Sequence, residues 1–343
     1  MTRFFTAGAL ALCAIAAPAQ VHAQAAQQRT LEVPAQSAWQ HALTSMILPP
    51  QAGGLTRSQV ADLGAEELDI LAQYAGPDGT VATVYLFRTG VPDVALWFDR
   101  AAFAISVSPQ YGLAGAALPA PTPFMRPGAT IASGLRVALD LNAASLRSTA
   151  LAVAPLGSHL LKIRLSSGGL DRAAIDARMT RFIEDLRWPA AAAAESAAAP
   201  VLPCAAPLRL RRARLVRMDI GDSLLAALSG MPREPKDDGP RPVFCREPGA
   251  TAQYGVYRPG GSRQAYLVAL GDAGIALSLG QAISLTQLTG GGGGPRRISM
   301  TLLDRSSTGV LPSFDRLPPL AQAVSVAFSG RGPGISVSTT PGN

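Results

Sequence analysis

The stretch Trp188–Pro207 reads WPAAAAAESAAAPVLPCAAP. Its Trp-Pro pair ends what precedes it, because the residue before a proline disfavours the helical region. An alanine tract follows, then Pro200, Pro203 and Pro207 around Cys204. Upstream, Ile175, Met179, Phe182, Ile183 and Leu186 recur at helical spacing, which predicts an amphipathic helix over Leu170–Leu186. Downstream, a second run of strand-like segments begins. The stretch therefore reads as a linker, 190–202, between an N-terminal domain, 31–189, and a C-terminal domain, 203–329.

Each half runs strands and then a closing helix. The fold class expected is α+β, with two domains on a hinge, each a mainly antiparallel sheet with a packed helix. In the first half, Leu68–Tyr74 and Thr80–Arg88 read as strands about the turn Gly76-Pro77-Asp78-Gly79. Both faces of the second strand are apolar, as in a strand covered on both sides. Trp39–His41 reads as a helical turn, and a helix starts near Pro92. Three strands, Ala129–Leu139, Leu146–Ala154 and His159–Leu165, precede the long helix. The second half offers Asp222–Leu228 as a short helix and Met231–Pro242 as a solvated loop. Strands are expected at Val243–Arg246, Gln253–Tyr257, Gln264–Leu270, Ile275–Leu279 and Arg297–Leu303. A last helix carries Leu320, Val324 and Phe328, and 330–343 reads as a frayed tail.

The chain opens with the three parts of a secretory signal. Arg3 is the charged start, Phe4–Ala17 the apolar run, and Val21-His22-Ala23 the cleavage site, so 1–23 is expected to leave. Cys13 does not mark a lipoprotein, because Leu12 rather than a small residue precedes it. No later stretch reads as transmembrane, since Asp272 and three glycines break Ala265–Leu285. The 343 residues are nearly half apolar and carry a net charge of +7. An exported chain of that charge points to anionic lipid, lipopolysaccharide or an acidic envelope protein as partner, not to nucleic acid.

Cys204 and Cys245 are an even pair in an oxidising compartment and are expected to form a disulfide. Two separately buried thiols are the competing reading. No metal or cofactor is expected. Two distant cysteines and two distant histidines do not make a zinc site. Lys162 and Lys236 lack P-loop context, Gly290–Gly294 has no following Lys, and Asp237-Asp238-Gly239 lacks calcium-loop spacing.

Catalytic residues are not legible. His41 and His159 lie in different segments. Ala276–Gly280 falls one glycine short of a nucleophile elbow and reads as strand. Glu66-Glu67 and Glu184-Asp185 are neighbours in sequence only. Trp97 and Trp188 read as core.

Arg209, Arg211, Arg212, Arg214 and Arg217 are the sharpest feature. A strand would carry them on both faces, and a helix gives no clean apolar stripe. The segment is either an edge strand or a partly exposed arm. Guanidinium forks match phosphate and carboxylate, which makes it an anion-binding candidate. A basic edge that discourages strand-to-strand aggregation is the plain alternative.

Trp39-Gln-His41, Leu48-Pro49-Pro50, Thr80-Val-Ala-Thr-Val-Tyr85, Leu161-Lys162-Ile-Arg164 and Trp188-Pro189 resemble a set of secreted bacterial proteins of unknown function. The order of elements in the first half is similar to PsbP-like α/β/α sandwiches. That resemblance implies a non-catalytic accessory or binding domain and brings no catalytic residues. The function expected is an exported envelope protein acting as a non-enzymatic binding or interaction module. A hydrolase with a site assembled only in three dimensions, or a binder of anionic lipid or lipopolysaccharide through Arg209–Arg217, are the alternatives.

Overall fold

The computed structural model describes residues 28–191, 195–216, 243–282 and 297–329. The leader 1–23, Asp222–Leu228, Met231–Pro242, Gly290–Gly294, Arg217 and the tail 330–343 lie outside them.

The chain is α+β, with two sheets and a closing helix on each. The first sheet is built from β1 (Arg29–Thr30), β4 (Gln51–Ala52), β5 (Leu55–Asp62), β6 (Asp69–Ala75), β7 (Val81–Arg88), β8 (Thr122–Phe124), β9 (Gly134–Asp140), β10 (Ser148–Leu156) and β11 (His159–Ser167). Their order is β1-β5-β6-β7-β11-β10-β9-β8, with β4 on β5 and every pair antiparallel. Helix α1 (Val94–Val107) starts at Asp93, whose Oδ1 accepts from Leu96 N at 2.7 Å. Helix α2 (Arg172–Asp185) starts at Asp171 in the same way.

The apolar alternation decides the layers. Ala82, Val84 and Leu86 of β7, with Ala150 and Ala152 of β10, pack under the Ile175–Met179–Phe182–Ile183 stripe of α2. Phe87, Leu151 and Val153 face the other way, onto α1 and the second sheet. β10 is buried along its whole length, as a strand covered on both faces must be.

The second sheet contains β12 (Leu202–Pro203), β13 (Leu215–Val216), β14 (Phe244–Arg246), β15 (Tyr254–Pro259), β16 (Tyr266–Leu270), β17 (Ile275–Gln281), β18 (Ile298–Leu303) and β19 (Thr308–Phe314). The order is β12-β14-β15-β16-β17-β18-β19-β13, and only the β12–β14 pair is parallel. Tyr257, Leu267, Ala269 and Ala276 turn inward to α1. Tyr266, Val268, Leu277, Met300 and Phe314 turn outward to α3 (Leu320–Phe328). α3 buries Ala323 and Ala327 most deeply, with Leu320 and Phe328 half-covered beside them.

Three readings are corrected. Trp39–His41 is not helical: β2 (Trp39–Gln40) pairs with β3 (Ile47–Leu48) as a short antiparallel ribbon. The second correction concerns β5, which carries no expected strand because Thr56-Arg57-Ser58-Gln59 is polar. Arg57 is nevertheless buried there, and its guanidinium donates to Leu48 O at 2.7 Å and Ser37 O at 2.6 Å.

The third correction is that the two halves are latched rather than hinged. Arg100 of α1 is fully buried, donating from Nε to Gly271 O at 2.9 Å and from its terminal nitrogens to the Thr251 and Ala252 carbonyls at 3.1 Å. Beside it, Asp99 pairs with Arg246 and accepts from Tyr257 Oη at 2.7 Å. Lys162 Nζ, stacked 4.5 Å from the Tyr85 ring, donates to Asp272 Oδ2 at 2.7 Å. Thr89 Oγ1 donates to Gly274 O at 2.9 Å, and Arg305 pairs with Asp69. Gly274 has φ +91°, and a Cβ on it would lie 2.7 Å from the Arg88 carbonyl oxygen, so no other residue fits this approach. The linker is also held. Glu195 accepts from Arg126 Nη2 at 2.5 Å and from Ser133 Oγ at 2.7 Å, while Arg126 Nη1 donates to Pro189 O.

Candidate anion-binding site

Residues 204–216 form an extended arm across the outward face of the second sheet. Leu208 and Leu210 lie half-buried against its core, and Ala213 is buried in it. Arg209, Arg211, Arg212 and Arg214 are all exposed. Arg209 and Arg211 alternate with the half-buried Leu208 and Leu210, as period two requires, and Arg212 is exposed beside them.

Both ends of the arm are tied. Cys204 is bonded to Cys245 on β14, with their Cα atoms 4.9 Å apart. Arg258, itself buried, donates from Nη2 to Ala206 O at 2.6 Å and pairs with Glu247 at 2.7 Å. The other Glu247 oxygen accepts from Leu208 N at 2.9 Å. At the far end Gln322 of α3 exchanges two bonds with Ala213, N to Oε1 at 2.9 Å and Nε2 to O at 2.6 Å. Asp315 accepts from Arg214 N at 2.9 Å, and β13 pairs with β19 as an edge strand. That backbone bond, with Arg316 beside it, holds the exposed Asp315 carboxyl below the usual carboxylate range.

Among the described residues, no carboxylate pairs with the side chains of Arg209, Arg211 or Arg212; the Asp315 carboxyl, engaged with Arg316 at 3.2 Å, also feels the charge of Arg214. The arm presents four guanidinium forks on a backbone that cannot swing. Guanidinium forks match phosphate and carboxylate geometry, which is what makes the arm the candidate site. The expected disulfide is present, and four of the five candidate arginines, Arg209, Arg211, Arg212 and Arg214, are exposed along the arm.

The structure also joins two residues that sequence kept apart. The rings of His41 and His159 meet edge to face, 5.3 Å apart. His41 Nε2 donates to Glu67 O at 2.8 Å, and its Nδ1 accepts from Thr44 N at 3.2 Å, which fixes the tautomer. His159 is 4% exposed; Ser158 Oγ lies 3.3 Å from its Nδ1, and its buried Nε2 has no partner among the described residues. Burial, helped by His41 and Arg88, pushes His159 down to about 4. Among the described residues, Ser158 is the one hydrogen-bond neighbour of its ring nitrogens.

The neighbouring loop is strained. Ala65, Glu66 and Glu67 take φ of 94°, 53° and 57°. Asp62 holds that loop, accepting from the amides of Gly64, Ala65 and Glu67 at 3.0–3.2 Å. Glu66 and Glu67 therefore serve a turn. Glu184 and Asp185 end α2, where Asp185 Oδ2 accepts from Gly53 N at 2.7 Å. Ser278 sits within β17. No group of three His, Cys, Asp or Glu among the described residues could hold a metal ion, and no described helix is long and apolar enough to cross a membrane.

The chain matches no protein-family model, no curated protein and no solved structure.

Proposed function

We propose that this chain is an exported, non-enzymatic binding module of the bacterial cell envelope, and that the arm 204–216 is its contact for an anionic envelope component. The observation that carries the reading is the arm itself: four exposed arginines, three of them with no carboxylate partner among the described residues, and both ends tied. The Cys204–Cys245 bond supports export, because such bonds persist in oxidising compartments. The helix–sheet–helix layering of the first half supports the likeness to PsbP-like accessory domains, as an analogy of fold.

The test is crosslinking in intact cells, with the chain exported by its own leader and its captured partners identified by mass spectrometry. One recurrent anionic partner is expected, lost when the four arginines are replaced by glutamine. Unchanged capture by that variant overturns the arm as the contact.

A further inference from the structure

We propose that the middle of the arm, 208–212, pairs edge to edge with an extended acidic segment of another envelope protein, which adds to it as a strand. This rests on the arm as anion contact and goes further by naming the occupant.

The arm's backbone carries the argument. It runs from Pro207 to Arg214 without a turn or a bend. Its anchors fall outside its middle. Ala206 O and Leu208 N are taken at one end, and Ala213 and Arg214 at the other. Between them, the N–H and C=O groups of Arg209, Leu210, Arg211 and Arg212 have no hydrogen-bond partner among the described residues. An exposed extended backbone with unpaired donors and acceptors is a template for a further strand. Ala213, the next residue along, already takes one donor and one acceptor from the Gln322 amide, as it would from a strand.

The side chains say which strand. Leu208 and Leu210 lie half-buried on one side of the chain, and Arg209 and Arg211 are exposed on the other. Side chains on one side of an extended chain repeat every two residues, about 7 Å, so an added strand meets the two arginines with every second residue. Acidic residues there pair with the guanidiniums across the ladder, and apolar residues between them cover what the leucines leave exposed. The recognised segment therefore alternates acidic and apolar residues. A second copy of the arm is refused, because arginine would stand opposite arginine. Phosphate groups accept from N–H but give nothing to the carbonyls, whereas a peptide chain supplies both donors and acceptors at the arm's own spacing.

The experiment is fluorescence anisotropy of a short labelled peptide of alternating glutamate and valine, titrated with the exported chain. Two further peptides carry N-methyl groups, one on its glutamates and the other on its valines. Their charge is the same, but only one of the two sets of amides faces the arm in a paired strand. Retention of the chain on immobilised polyphosphate reads anion contact without a peptide.

One methylated peptide is expected to bind on the order of tenfold or more weakly, since several main-chain bonds are lost, and the other to bind like the parent. Arg209→Gln with Arg211→Gln is expected to weaken the parent peptide roughly tenfold. Both positions are exposed, and matched thermal unfolding shows that this variant folds. Two methylated peptides that bind alike overturn strand pairing, and parent binding unchanged in the arginine variant overturns this site. Retention on polyphosphate with no peptide binding also overturns the proposal and leaves the anion-contact reading standing. Failure to bind either overturns both.

Discussion

Gln322 and Ala213 close a two-bond ring between α3 and the arm, at 2.6 and 2.9 Å. A side-chain amide copies a strand partner here, because it carries one donor and one acceptor at the right spacing. Gln322→Ala leaves the N–H and C=O of the buried Ala213 without that partner. A loss of about 1–2 kcal/mol is expected in denaturant unfolding. Faster hydrogen exchange at Ala213 locates the effect, and anion binding weakens as the arm loosens. Unchanged exchange there would contradict the assignment.

The disulfide should matter more. It closes a 41-residue separation, worth about 4 kcal/mol in the chain-entropy account. The Cys204→Ser, Cys245→Ser double variant is expected to lower the unfolding midpoint and weaken anion binding. Reduction of the native chain should shift the midpoint in the same way, and the double variant should not respond to reductant.

His159 makes a pH prediction. Its folded value of about 4 lies below the ordinary histidine value of 6.5, so the unfolded chain binds more protons and stability rises with pH. The contribution is complete above about pH 6.5 and is lost as pH falls through about 4, on the order of 3 kcal/mol in all. Carboxylates held below their usual value, such as Asp272 beside Lys162, lose their contribution only at the acid end of that window. Asp99, whose carboxyl burial raises above its usual value, titrates with the opposite sign, so the histidine is read as the difference between parent and His159 variant midpoints from pH 7 to 5. His159→Gln should flatten the profile there, and an unchanged slope would mean the ring is not held neutral.

Arg100 is expected to be the costliest single substitution between the sheets. Arg100→Met leaves the carbonyls of Gly271, Thr251 and Ala252 without their donor and removes a cation beside Asp99. A loss of about 3 kcal/mol or more is expected. Arg100→Lys should recover little, since a point charge cannot reach three carbonyls as a fork does. Unfolding should divide into two transitions once the latch is gone, read by near-ultraviolet dichroism; a single unshifted transition would count against it.

Periodicity in the sequence was readable wherever apolar contacts decide the structure. β7 with two apolar faces, the α2 stripe and β14 to β18 all follow from alternation. Where polar groups do the packing, alternation is silent. β5 is hidden by the buried Arg57, and β19 by Gly309 and by the exposed Pro312, which lies in the β19 bulge opposite Ser299. The latches could not be read either: Arg100 and Gly271 are 171 residues apart, and nothing local marks the carbonyls as partners. The arginine cluster was visible because it is contiguous. Its anchoring was not, because Arg258, Glu247 and Gln322 come from remote elements. The two histidines met for the same reason that hid them: β2–β3 and β11 become neighbours only through the sheet.

The arm's far anchors also set an order of events. Ala213 and Gln322 are separated by 109 residues, Arg214 and Asp315 by 101, while the cysteines lie 41 apart. As the chain emerges from its N-terminus, Cys245 becomes available long before β19 and α3 exist. Oxidation can therefore tether the arm's beginning while its end waits for the last helix. Loop closure over a hundred residues is slow and comes late. Until then the arginines and Leu215 belong to an open edge, so the arm is the last part of the molecule to be completed, and a chain truncated before Gln322 would carry every arginine of the arm on an unseated strand.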